Sequence, residues 1–326
     1  MKSLLTYCES ERAWLVDTTL SLVRCESPTL DKAAVDECGR ALQVQLRALG
    51  GRVQVLQRAG AGDHVLAEFG CGDRQVLLLG HHDTVWPTGE LARQPARAEQ
   101  GRLYGPGVYD MKAGLALALL AVRALQDGPD GLPGRIALLS TSDEETGSAS
   151  SRAAIEDEAQ RSAAVLVLEP ALPDGGVKTW RKGCGQYLVR VRGVAAHAGV
   201  EPEKGASAVH ELARQVDSAL RLADPSRGLT VNVGTVRGCT RPNVVAEAAE
   251  AEIDVRVSSL EDAARVDRAI RALRPHDART SIDVAGGIDR PPMERSAAVL
   301  HLYEHARGVA AQLGRKIGRA SCRERV

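Results

Sequence analysis

The stretch QVLLLGHHDTV, residues 75–85, decides the reading of this chain. From Gln75 to Leu79 the apolar residues are continuous, as expected of a central strand buried on both faces of a parallel sheet. Gly80, His81, His82, Asp83, Thr84 and Val85 follow at once. The loop beyond the carboxyl end of a parallel strand is where open α/β sheets hold ligands. A neutral imidazole is a good zinc ligand, and an Asp close by can fix its tautomer. Alone, a His-His-Asp loop is more often an ordinary solvated loop.

The same alternation continues outward. Strands are predicted at 52–56, 64–69, 136–139 and 165–168. Helices are predicted at 3–24, from an Asp31 cap to Leu49 before Gly50-Gly51, and over 111–127. Strands alternating with helices predict an α/β fold with a mostly parallel sheet. The character changes near Gly183. Half-exposed alternating strands at 187–192, 229–236 and 246–257, with helices at 205–222 and 261–273, follow the β-α-β-β-α-β order of a ferredoxin-like α+β unit. Gly286-Gly287 and Pro291-Pro292 read as a linker, and a helix is expected from Ser296 to Leu313.

Composition narrows the function classes. At 326 residues the chain has room for about two domains. Lys and Arg total 42 and Asp and Glu total 42, which speaks against both a nucleic-acid binder with a global positive field and an acidic solvating chain. Aromatics make up 3%, with Phe69 the single Phe, so a stacking platform for single-stranded nucleic acid is not expected. The seven cysteines are odd in number and lack CxxC spacing, which points away from a disulfide framework and toward a reducing, cytoplasmic location. The N-terminus turns charged too early for a signal peptide, and the apolar run Leu115–Val122 stops at Arg123, far short of the ~20 residues of a membrane span.

Three further motifs join the first. Tyr104-Gly-Pro-Gly-Val-Tyr-Asp110-Met-Lys-Ala-Gly114 delivers Asp110 to a helix start, where the bland reading is an N-cap. Ser142-Asp143-Glu144-Glu145-Thr146-Gly147 follows a buried strand, and three consecutive acids either invite a cation or stay solvated. Leu168-Glu169-Pro170 follows another. Four successive strand ends thus deliver His, Asp, two Glu and a further Glu, a set that suits zinc and, with a shared carboxylate, a dinuclear site.

In that order the motifs resemble the cocatalytic zinc peptidases and amidohydrolases: glutamate carboxypeptidase, aminoacylase, acetylornithine deacetylase and succinyl-diaminopimelate desuccinylase. The resemblance runs from residue 1 to about 314. It implies two zinc ions per subunit, with cobalt or manganese as alternatives. His81 would bind one zinc and Asp83 orient it, Asp110 would bridge, Glu144 would be the general base, Glu145 would bind the second zinc, and Glu169 would complete the His81 site. His82 falls at a variable position and is not assigned as a ligand. Gly193-Val-Ala-Ala-His197 resembles the family's lid histidine, which in dimers reaches the partner's site. Arg241-Pro-Asn243-Val-Val and Ile253-Asp-Val-Arg256 resemble the pair that binds the substrate's terminal carboxylate, for which Arg offers a bidentate fork. The implied organisation is a catalytic domain over 1–182 and 288–316, with an inserted lid and dimerisation domain over 183–287.

The C-terminus departs from the family. A last His ligand to the Glu145 zinc has no candidate, and His301 and His305, four residues apart on a helix, read as surface residues. Residues 317–326, IGRASCRERV, resemble no family segment and match in all ten positions what a sequencing adapter encodes (ATC GGA AGA GCG TCG TGT AGG GAA AGA GTG). They are read as a non-native tail on a truncated catalytic domain, and the chain itself is expected to be inactive. For the family fold the expectation is a homodimeric zinc carboxypeptidase acting on small or short peptide substrates with a free carboxylate and releasing an amino acid such as glutamate. The rival readings are an N-acyl amino-acid deacylase and a non-catalytic dimeric binding module.

Overall fold

The computed structural model describes residues 2–173, 175–238 and 241–320. The described residues fall into two compact units, one running to Ala171 and including Val309–Arg315, the other from Leu172 to Gly308 together with the residues from Lys316 on.

The first unit opens with α1 (Lys2–Ser10) and α2 (Arg12–Val23) where a single helix was expected. Glu11 leaves helical geometry between them while Arg123 holds its carboxylate at 2.9 Å. In α3 (Lys32–Ala48) the Asp31 carboxylate accepts the Ala34 N–H, and Val35, Cys38, Leu42 and Leu46 form the buried stripe. Then come β1 (Arg52–Leu56), β2 (His64–Phe69), β3 (Gln75–His81), α4 (Glu90–Arg93), β4 (Arg97–Glu99), β5 (Arg102–Tyr104), α5 (Ala113–Gln126), β6 (Arg135–Thr141), α6 (Arg152–Gln160) and β7 (Ala164–Val167).

The central sheet has the order β1-β2-β6-β3-β7. β3 runs parallel to both neighbours, with Leu78 opposite Leu138 on one side and Leu166 on the other. β2 is antiparallel to β6 and to β1, so it alone runs against the other four strands. One face of the sheet packs Val65, Phe69, Leu78 and Leu138 against Leu22, Leu42, Leu115 and Leu119 of the helices. The other packs Leu66, Leu77 and Leu139 with Ile155 of α6. Burial on both faces is what the continuous apolar run of β3 requires. The hairpin β4–β5 stands apart from this sheet. Asp110 therefore arrives on the turn at 108–112 that leads into α5, not at the end of a central strand as the motif order had suggested.

The second unit contains β8 (Val177–Lys178), β9 (Gly183–Arg192), β10 (Ala196–His197), α7 (Ala208–Leu220), β11 (Thr230–Gly238), β12 (Val244–Val245), β13 (Ala248–Val257), α8 (Leu260–Arg271), β14 (Ser281–Arg290), α9 (Ala297–Gln312, which continues into the first unit) and β15 (Arg319–Ala320). Its four-stranded antiparallel sheet has the order β11-β13-β9-β14, the ferredoxin-like arrangement. Alternate residues Tyr187, Val189 and Val191 of β9 and Ile253, Val255 and Val257 of β13 bury against Leu212, Val266 and Ile270 of α7 and α8. Gly286-Gly287 is not a linker. Both lie inside β14 opposite Tyr187 and Gln186, where a Cβ on Gly286 would stand 2.1 Å from the Gln186 carbonyl oxygen. His301 and His305 are exposed on α9. Residues 319–320 pair with β8, and 321–326 of the suspected tail lie outside the described residues. Among the described residues no helix is long and apolar enough to cross a membrane.

Candidate metal centre

His81 is the last residue of β3, and Gly80 and Gly114 explain how three chain segments meet there. A Cβ on Gly80 would stand 2.7 Å from the Met111 side chain, and one on Gly114 would stand 2.2 Å from the Leu168 carbonyl oxygen. Glycine at these two positions lets the turn carrying Asp110 close onto β3 and the start of α5 close onto the residue before Glu169. Met111 sulfur accepts the His81 N–H at 3.2 Å, and the Asp110–Met111 peptide is cis.

The result is a convergence of ligand atoms. His81 Nε2 lies 3.0 Å from Asp110 Oδ1 and 3.4 Å from Glu169 Oε1. The three ligand atoms lie within 4.8 Å of one another, the one such group of three or more among the described residues. Exposure rises from 1% for the His81 side chain through 24% for Glu169 to 55% for Asp110, so the group is anchored inside and open to solvent on one side.

Asp83 backs the imidazole. It is fully buried, its carbonyl oxygen lies 3.0 Å and its Oδ1 3.3 Å from His81 Nδ1. An Nδ1–H pointed at Asp83 turns Nε2 toward the two carboxylates. The Asp83 carboxylate also accepts the Thr29 hydroxyl at 2.8 Å and the backbone N–H groups of Glu144 and Glu145 at 3.4 and 3.3 Å. One side chain thus ties the His81 loop to the Glu144–Glu145 turn. The segment 25–29 braces it from behind. Thr84 N–H donates to the Ser27 carbonyl at 2.8 Å, Ser27 Oγ donates to the His82 carbonyl at 2.6 Å, and Lys112 Nζ donates to the Cys25 carbonyl at 2.7 Å.

The electrostatics are those of a cation site holding a proton. Burial opposes protonation of His81, but hydrogen bonds to Asp83 and Glu169 and their charges raise its pKa to about 11. Burial likewise pushes the Asp83 carboxyl up, and the His81 contacts overcome it and hold the group below its ordinary value. Glu145 is pushed up to about 6, first by burial and then by the Asp110 charge. Carboxylates converging on one imidazole that has taken a proton are a donor set that fits a divalent metal.

His82 stays outside the cluster. It is buried, its Nδ1 bonds Ser140 Oγ at 3.0 Å, its Nε2 faces Gly39, and burial lowers its pKa to about 4. Asp143, whose Oδ2 accepts the Ser150 N–H and hydroxyl at 2.7 and 2.8 Å, anchors the turn bearing Glu144 and Glu145. Glu145 is not within the three-residue group.

In the second unit β10 and β12 pair His197 with Val244, next to Asn243, whose carbonyl accepts the Ala198 N–H at 3.0 Å. His197 and Asn243 therefore come together. His197 is exposed, and its Nδ1 accepts the Gly199 N–H at 3.2 Å, so the neutral ring carries its proton on Nε2. Arg256 sits on β13 with its fork closed on Asp254, both contacts at 2.9 Å. Sequence reasoning missed Thr29, Ser27, Met111 and Lys112, because Ser27-Pro28 signalled only the end of a helix.

Residues 77–321 match the model of peptidase family M20/M25/M40. The chain is 32% identical over 256 residues to carboxypeptidase G2 of Pseudomonas sp. (strain RS-16), covering 77% of the chain and 62% of that protein. It is 29% identical over 272 residues to succinyl-diaminopimelate desuccinylase of Gluconobacter oxydans (strain 621H), covering 77% and 70%. The chain thus spans less than two thirds of the first of these relatives. Among solved structures, aminopeptidase PepT of Bacillus cereus superposes with a TM-score of 0.75 at 23% identity, over 94% of this chain and 84% of that one. An M20 family metallo-carboxypeptidase of Sulfolobus solfataricus does so at 0.62 and 17% identity, over 94% and 85%.

Proposed function

Because the chain belongs to peptidase family M20/M25/M40, we propose that its fold serves a metal-dependent carboxypeptidase, one that hydrolyses a C-terminal amide or peptide bond and releases an amino acid such as glutamate. The observation that carries the reading is the convergence of His81, Asp110 and Glu169. These three would hold one zinc ion, and Glu145 with a shared Asp110 would contribute to a second. Bound there, the metal pair would lower the pKa of an attacking water toward about 7.

The chain's own residues do the rest. Asp83 keeps His81 in the liganding tautomer. Glu144 takes the proton from the attacking water and passes it to the departing nitrogen. His197, with its proton on Nε2, donates to the carbonyl oxygen as negative charge develops. Asn243 and Arg256 hold the free carboxylate, with the Arg256 fork released from Asp254 to do so. Residues 1–182 and 288–316 are assigned to the catalytic domain and 183–287 to a lid through which two copies pair, in the cytoplasm. Glu145 and the shared Asp110 would hold the second ion more weakly than three protein ligands hold the first.

Carboxypeptidase G2 and acetylornithine deacetylase are both among the relatives, so a deacylase is the rival. A chimera that continues from Gly314 into the remaining segment of the Pseudomonas relative tests this, assayed with zinc on folate-type glutamyl amides and on N-acetyl amino acids. Chelator-sensitive release of glutamate from the first supports the proposal. Preference for the second makes the fold a deacylase, and no hydrolysis with full zinc loading makes it a binding module.

A further inference from the structure

The turn 142–151, which carries Glu144 and Glu145, is held from two sides. In front, the Asp83 carboxylate accepts the Glu144 and Glu145 N–H groups at 3.4 and 3.3 Å, beyond the usual range for such bonds. Behind, the contacts are shorter on the whole, and they come from the segment that joins β1 to β2. Ser142 Oγ donates to the Gly62 carbonyl at 2.5 Å, and Arg58 Nε donates to the Ser150 carbonyl at 3.0 Å. A Cβ on Gly62 would stand 2.5 Å from the Val35 side chain and 3.0 Å from the Ser142 Cβ, so glycine lets this segment close onto the end of β6.

His64, the first residue of β2, is wholly buried and lies between the two serines. Its Nδ1 is 2.9 Å from Ser142 Oγ and its Nε2 is 3.3 Å from Ser150 Oγ. The Ser142 proton is committed to Gly62, so Nδ1 carries the ring hydrogen and donates to Ser142. Burial lowers the His64 pKa, which leaves the ring neutral and Nε2 an acceptor. Nε2 and Asp143 Oδ2 then share the Ser150 hydroxyl, and the Ser150 N–H donates to the same Asp143 oxygen at 2.7 Å. A buried histidine has to be hydrogen-bonded somewhere. Here both ring nitrogens reach one turn, one at each end of it, and neither bond serves the strand that carries His64.

We propose that His64 is a positioning residue, which fixes the Glu144–Glu145 turn from behind through Ser142 and Ser150. The role rests on the reading of Glu144 as the base and Glu145 as a metal ligand given above. Asp83 ties the turn to His81 by two long bonds, and the His64 clamp supplies the rigidity that those bonds lack.

The test uses the 326-residue chain without metal and reads backbone amide exchange by mass spectrometry. In His64→Leu, exchange over 143–151 should rise about tenfold or more while 75–81 and 135–140 keep their protection. The turn loses both side-chain bonds, and the ladder between β3 and β6 stays whole. Ser150→Ala, a change at a half-buried position, should give the same local pattern more weakly, and it serves if His64→Leu does not fold. His64→Asn, whose amide keeps a donor toward Ser142, should fall between wild type and His64→Leu. Zinc titration of the same variants reads the site itself. The tight His81 ion should be unchanged, and the weaker ion should bind about tenfold more weakly because Glu145 is no longer held. Unchanged exchange over 143–151 would overturn the proposal, and so would an equal rise in β3 and β6, which marks general loosening of the fold. A chain with the exchange contrast but no zinc affinity would overturn the metal reading and, with it, the functional role of the clamp.

Discussion

His81 and Arg256 are two residues on which the proposed chemistry turns, and the fold holds them in opposite ways. The His81 side chain is 1% exposed and is met by Asp83, Asp110 and Glu169 from three separate segments. Arg256 is 49% exposed, and its partner Asp254 lies two residues away on its own strand. The first is fixed by tertiary packing before any metal arrives. The second is parked on a neighbour that a substrate carboxylate has to displace. Removing groups around His81 should therefore cost much, and changes around Arg256 little.

The largest effect is expected at Glu144. In the chimera, Glu144→Ala should lower turnover by about 10²–10⁴-fold while zinc content holds, as loss of a general base does. Metal loss in this variant would assign Glu144 to the ligand set. Asp83→Asn comes next. It removes the carboxylate behind His81 Nδ1, and zinc affinity should fall by about 10–100-fold. An unchanged zinc titration would mean that the backbone carbonyl of residue 83 suffices.

Glu211 sharpens the comparison, because it is the second unit's own buried anion. It accepts the His276 N–H at 3.0 Å, the Asp277 N–H at 3.1 Å and the Gln215 amide at 2.6 Å. Burial pushes its carboxyl up, but these bonds outweigh it and hold the pKa at about 2 against an ordinary 4.5. A folded pKa below the unfolded one stabilises fully above the unfolded value and is lost as pH falls from about 4.5 toward 2. Glu211→Gln should cost about 1–2 kcal/mol at neutral pH and flatten the acid limb of stability in urea unfolding. A variant with the same acid limb would show that the carboxylate's bonds are equally available in the unfolded chain.

The smallest effect belongs to the clamp. Arg256→Ala should raise KM for substrates with a free carboxylate by about tenfold or less, since the Asp254 pair already competes. Amidated substrates should be spared, and equal loss on both would make Arg256 structural. Asp254→Asn should move KM the other way.

The converging group was legible in the sequence because His81, Asp110 and Glu169 each sit within a short motif beside a strand end or helix start, where local pattern and chemistry coincide. The supports were not legible, because they depend on segments far apart in the chain. Thr29 reaches Asp83 across 54 residues, and Met111 reaches the His81 N–H across 30. The Asp254 grip on Arg256 was visible as spacing but not as an engaged fork. Gly286-Gly287 misled for the converse reason: the ladder with β9 overrides a local turn signal and uses the missing side chains for close approach. The helix expected over 3–24 broke at a residue whose partner, Arg123, belongs to another helix.

Zinc binding by the 326-residue chain, titrated against a chelating dye beside its His81→Ala variant, tests the central claim most directly. The account predicts one tightly held zinc per chain, any second ion much weaker, and loss of the tight site in His81→Ala, because His81, Asp110 and Glu169 are the one converging group among the described residues. Two equally tight zincs, or a tight zinc that survives His81→Ala, would contradict it.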